Sequence, residues 1–166
     1  VGRLKMFDIH FIHAIKNGVR YFSADRRLFD PLIPNTSETM KARMFAWLQN
    51  NTIKFDTSYA GGVAAGLPLV AVELTEQYYD SQGLANAAYS RYDDDGREFQ
   101  NFHLFTSQEV RANIYAKDME TVRLIHKIIQ ATMMLFNVSF IKAGYQNLLY
   151  TGTTPLAPEI ALEGEG

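Results

Sequence analysis

A chain of 166 residues, 47% hydrophobic and 20% charged, has enough apolar material for one packed domain and excludes wholesale disorder. Its formal net charge of -2 offers no basic surplus, so tight binding of nucleic acid, which draws on clustered Lys and Arg, is not expected. Cysteine is absent, which removes disulfides, thiolate metal sites and cysteine nucleophiles together.

Residues Val1 to Phe22 place Arg3, Lys5, Asp8, Lys16 and Arg20 among apolar neighbours, the pattern of neither a signal peptide nor a membrane span. The expectation is a soluble chain that stays where it is made. Phe7, Phe11, Ile15, Val19 and Phe22 recur at helical spacing, Ile12 widens the stripe, and Lys16 and Arg20 lie on the other side, which predicts a first helix. Ser23 to Pro34 holds Asp25, Asp30, Pro31 and Pro34, residues that set turns, while Leu28, Phe29, Leu32 and Ile33 are able to dock on a core; an ordered connector is expected. Asn35 and Glu38 form a capping pair before a short helix carrying Met40, Met44, Trp47 and Leu48, expected to end before Asn50 and Asn51.

Ile53, Phe55, Thr57 and Tyr59 alternate with Lys54, Asp56 and Ser58, the period of a strand with one buried face, and Ala60 to Gly66 reads as a loop. Pro68 opens the apolar run Leu69 to Leu74, a strand expected to be buried on both faces and central in its sheet. From Tyr89 to Tyr115 the pattern predicts a long β-hairpin: Tyr89 to Tyr92, a turn at Asp93, Asp94, Asp95 and Gly96, and a return arm from Arg97 carrying Phe99, Phe102 and Phe105. Val110, Ala112 and Ile114 alternate with Glu109, Arg111 and Asn113, so the end of that arm is a half-buried strand.

Asp118 is placed to cap the longest helix, with Val122, Ile125, Ile129, Met133 and Phe136 on one stripe and Leu124, Ile128, Ala131 and Leu135 on a second. Two stripes require two partners: the chain's own sheet, and either the first helix or a neighbouring subunit. Val138 to Tyr150 is expected to form a closing strand around Gly144, followed by an extended polar arm from Thr151 to Gly166. The expectation is therefore a single α+β (α/β) domain over residues 1–150, with a mixed or mainly antiparallel sheet flanked by helices, a long hairpin and a C-terminal arm over 151–166.

Candidate chemistry is sparse. Asp93, Asp94 and Asp95 are consecutive between strand-like segments, whereas a calcium loop alternates its oxygens and ends on a distant glutamate, so an acidic hairpin tip is the expectation. His10 and His13 share part of one helix face without a further ligand at metal spacing, and His103 and His126 stand in no triad-like arrangement. Gly61, Gly62 and Gly66 precede a strand, the reverse of the strand-glycine-helix order that cradles phosphate. Glu73 interrupts the apolar strand, where an edge or interface ion pair explains it as well as catalysis does. No catalytic residue, metal site or cofactor is assigned.

The order of pieces resembles the tail-terminator and tail-completion proteins of tailed bacteriophages, especially those with contractile tails. It comprises a helix, a short Trp-bearing helix, a strand, a Gly-rich loop with Leu67-Pro68, the strand Leu69 to Leu74 and a long hairpin; Tyr115-Ala116-Lys117-Asp118 then leads from strand to helix, before a closing segment with Gly144-Tyr145. The resemblance spans residues 5–150, lies in order and texture, and includes no catalytic or metal motif. It implies a structural virion protein, assembled in the host cytoplasm into a ring, often a hexamer, that joins tail tube or sheath to the neck. DNA would pass without specific binding, and a near-neutral chain suits such a passage. Inter-subunit contacts are expected from the hairpin residues Tyr89, Tyr92, Phe99, Phe102 and Phe105 and from Tyr145, Tyr150, Leu156 and Ile160, with Asp93 to Asp95 lining a lumen or meeting a basic neighbour. A head-completion or neck connector, or a baseplate ring component, would have the same texture. From other classes, a ligand-binding module with an aromatic pocket and a small hydrolase using Glu73 with a histidine remain open.

Overall fold

The computed structural model describes residues 7–57, 66–79, 87–92, 94–95, 98–102, 106–145 and 152, with side chains described in 7–57, 66–73, 94–95, 109–145 and 152. The elements run α1 (Phe7–Ala24), α2 (Arg26–Phe29), a 3-10 turn (Asp30–Leu32), α3 (Glu38–Asn50), β1 (Lys54–Asp56), β2 (Leu69–Tyr79), β3 (Ala87–Tyr92), β4 (Glu98–Phe102), β5 (Thr106–Tyr115), α4 (Met119–Leu135) and α5 (Asn137–Lys142). They divide into two compact units, Val1–Leu135 and Phe136–Gly166. The expected α+β architecture is present.

In the first unit, β2 is the middle strand of a mixed sheet of order β1-β2-β5, parallel to β1 and antiparallel to β5. Leu69 to Val72 are at most 2% exposed, as an apolar run without alternation demands when both faces are covered. The strand runs on through Thr75, Glu76 and Gln77 to Tyr79, further than its apolar stretch, because β5 supplies backbone partners along its length. A bulge between Leu74 and Glu76 separates the two stretches. A cis Leu67-Pro68 peptide leads into the strand, and Gly66 holds φ 77, a left-handed conformation that suits glycine.

The core is helix-on-sheet. α1 buries Phe11, Ile12, Ile15 and Phe22, and α4 buries Leu124, Ile125, Ile128 and Ile129, joining Val70 and Val72 in one cluster. α4 packs on α1 and on β5, while Leu135 of its second stripe is exposed. Gly18 marks a close approach of the two helices: a Cβ there would lie 2.0 Å from Thr132 Oγ1. Asp118 caps α4 as expected, accepting from the Thr121 backbone N–H at 2.8 Å and from its hydroxyl at 3.0 Å. At 17 residues α4 is one shorter than α1, which at 18 is the longest helix described.

The connector after α1 is ordered and docks on the core as expected: it takes one helical turn at Arg26–Phe29, where Asp25 caps it by accepting from Arg27 N–H and Phe29 is driven fully into the core against Phe45. Two expectations need correction here. The cap of α3 is Ser37 and not Asn35; Ser37 Oγ accepts from Met40 N–H, while Glu38 turns to Arg26 instead of closing a capping box. The return arm of the hairpin is two strands: β4 pairs with β3, and β5 leaves to pair with β2.

In the second unit, the segment expected as a closing strand begins as helix α5. Local backbone bonds decide the outcome: Gly144 N–H donates to Ile141 C=O and Tyr145 N–H to Phe140 C=O. With Gly144 at φ 93 this is a Schellman stop, and the Phe140 and Tyr145 rings, 6.2 Å apart, form the apolar contact that accompanies it. The loop over 60–65 and the strand end at Ser58 and Tyr59 lie outside the described residues, as does the arm over 151–166 apart from Gly152.

Candidate functional site

The β2–β5 ladder extends from Leu69 opposite Tyr115 to Tyr79 opposite Thr106, while among the described residues β1 pairs with Leu69 to Ala71 on the other edge. The chain between β2 and β5 contains the second ladder, β3–β4, from Ala87 opposite Phe102 to Tyr92 opposite Glu98. Tyr89 stands opposite Asn101 and Phe99 opposite Arg91, with a register shift between Ala87 and Tyr89. Thus Tyr89, Tyr92, Phe99 and Phe102 are brought onto one hairpin. Asp94 and Asp95 form its exposed turn. Asp93, Phe105, Tyr150, Leu156 and Ile160 lie outside the described residues; Tyr145 is half-buried against Phe140.

Sequence periodicity placed Lys16 and Arg20 opposite the core stripe of α1, and the structure adds to that face. His10, His13, Lys16 and Arg20 are all exposed, whereas the one acid of the helix, Asp8, is 7% exposed. Asp8 Oδ1 has no hydrogen-bond partner. The Lys16 Nζ lies 5.7 Å from the Phe55 ring centroid, a cation–π contact that steadies the side chain over β1. Ile9 and Tyr21, about two-fifths exposed, flank the stripe. The signal was available beforehand: no acid occupies an outward position of the helix.

A second concavity went unforeseen because its walls are far apart in the chain. Arg43, Met44 and Trp47 of α3 face Asp118, Glu120, Thr121 and Leu124 at the start of α4 across a groove of about 280 Å³. Arg43 and Glu120 form an ion pair across it, with both side chains more than half exposed. Such a pair contributes about 0–1 kcal/mol, so it positions the groove more than it stabilises the fold.

The remaining candidates are dispersed. Glu73 is half-buried on β2 in register with Arg111, whose guanidinium lies 3.5 Å from Glu109. His126 is half-buried on α4, and burial, with Lys127 adding to it, holds its imidazole below the ordinary value. His103 lies outside the described residues, as do Gly61 and Gly62. Among the described residues no group of three or more His, Asp or Glu is placed to hold a metal ion, and no helix is long and apolar enough to cross a membrane. No protein-family model matches the chain, and no curated protein or solved structure is significantly similar to it.

Proposed function

We propose that this chain is a structural ring subunit of a contractile-type phage tail, a tail terminator that joins the tube and sheath to the neck. The observation that carries the reading is the two-part ribbon: β2–β5 runs beyond the β1-paired part of the sheet, and the stretch between its strands is folded into an aromatic-rich hairpin. Two-stranded ribbons are marginal in water, so a projecting one gains stability when another surface covers it. In a ring each subunit covers its neighbour, and a hexamer is the expected stoichiometry. The hairpin and the arm over 151–166 supply the contacts; DNA passes through the lumen without being held. The test is native mass measurement of the full chain followed by negative-stain imaging and binding to isolated tail tubes. Rings that bind tube ends support the reading. Rings that bind only the portal end of filled heads move the protein to the neck connector, and a chain that stays monomeric at high concentration removes it from rings altogether.

One feature favours a second reading, a ligand-binding module. The groove beside Trp47 is lined by both aromatic and charged groups, and Trp47 is the only tryptophan. A monomer whose tryptophan emission shifts on titration with small aromatic acids would select this reading over the ring.

A further inference from the structure

The geometry points to a specific joint for the ring, and the inference rests on that reading: the acidic turn of one copy, at Asp94 and Asp95, seats on the outer face of α1 of the next copy, against Lys16 and Arg20. The chain as a whole is close to neutral, so the segregation of its charge is informative. The outer face of α1 carries His10, His13, Lys16 and Arg20 along about 15 Å of helix, and the helix's one acid is buried. Lys16 and Arg20 are four apart and so stand one above the other on that face. The hairpin turn has the opposite character: Asp94 and Asp95 are exposed and follow Asp93 in the sequence.

These two patches sit on different elements and have opposite sign. Unlike patches can meet twice across a two-fold axis or once, head to tail, and repetition of the head-to-tail contact closes a ring or winds a filament; the ring reading selects the second arrangement. The surroundings agree: exposed Ile9 and Tyr21 border the stripe, so apolar contact is available beside its charged groups. Duplex DNA is the other polyanion to consider. Two full positive charges on one helix face match a turn of two aspartates better than a duplex, whose binding draws on many phosphate contacts.

The experiment is sedimentation velocity on the full chain, at low salt and at high salt, with circular dichroism to show that each variant is folded. Lys16→Glu with Arg20→Glu, and separately Asp94→Asn with Asp95→Asn, are expected to weaken association on the order of tenfold or more, and high salt to weaken the parent chain. The exchanged protein, Lys16→Glu and Arg20→Glu combined with Asp94→Lys and Asp95→Lys, is expected to recover assembly. The Asn variants alter only the exposed turn and keep the test alive should Lys16→Glu disturb its contact with Phe55. Folded variants that assemble like the parent, or an exchanged protein that fails to recover, overturn the joint while leaving the ring reading intact. Loss of retention on a duplex DNA column by the α1 variant, with normal assembly of the Asn variant, overturns it in favour of nucleic acid. A parent chain that never associates removes both the ring and the joint.

Discussion

From Leu69 to Val72 the central strand is at most 2% exposed, edged by β5 along its length and by β1 up to Ala71, and packed under α1. Beyond the bulge at Leu74 and Glu76 the same strand keeps β5 as its paired neighbour, and its sequence turns to Glu76 and Gln77. The contrast shows where stability is stored. In the first stretch each fully buried aliphatic side chain contributes about 1.5–3 kcal/mol by leaving water, and in the second the ladder to β5 is the described support.

Substitutions can break or sharpen that division. The largest effect is expected at Phe29, which is fully buried on the helix-packed side: Phe29→Ala should cost about 3–5 kcal/mol in chemical denaturation. A cost under about 1 kcal/mol would mean that the connector is not part of the core. Next is Gly18→Ala, whose added methyl would collide with Thr132; a loss of about 1–3 kcal/mol is expected, and Thr132→Ala in the same chain should return part of it. Asp118→Ala removes the cap of α4 and should lower the midpoint by an amount equivalent to about 1 kcal/mol.

Smaller still is the titration of His126. Its pKa is lowered from 6.5, so the unfolded chain takes up the proton first: the neutral form's contribution is complete above pH 6.5 and is lost as pH falls from there through the folded value. Thermal melts should show this acid-side loss in the parent and a flatter profile in His126→Gln. At the far end of the comparison, Asp94→Asn with Asp95→Asn should leave the stability of the subunit within about 0.5 kcal/mol, since both residues are exposed on a turn. A larger loss would show the turn to be part of the fold and not only a contact surface.

The helices α1 and α4, the central position of β2 and the Asp118 cap were legible because each rests on a local rule that the core reinforces. Phe11, Ile15 and Phe22 recur at helical spacing and are buried; Leu69 to Val72 form an unbroken apolar run and are covered on both faces. Where local signals competed, reading failed. Asn35 and Ser37 are both good caps, and only the ion pair of Glu38 with Arg26, twelve residues away, accompanies the choice of Ser37. Val138 and Ile141 favour strands, yet the Gly144 stop and the Phe140–Tyr145 contact close a short helix. The hairpin turn was legible from Asp-Gly. That β5 abandons β4 for β2 was not, because strand partners distant in sequence leave no local trace. The outer face of α1 was half visible, and the groove beside Trp47 depends on α3 meeting α4, which no spacing reports.

The nesting of one ladder inside the other also bears on how the chain reaches its native state. Joining Tyr79 to Thr106 requires closing everything between them, and each doubling of an open loop costs about 0.6 kcal/mol of entropy. If β3 and β4 zip first, most of that span is already shortened, and they emerge from the ribosome ahead of β5. The early hairpin is thus a kinetic splint: weakening its strand pairing should slow refolding more than it speeds unfolding, a difference that stopped-flow measurements on a variant with proline placed in β3, such as Ser90→Pro, would read directly.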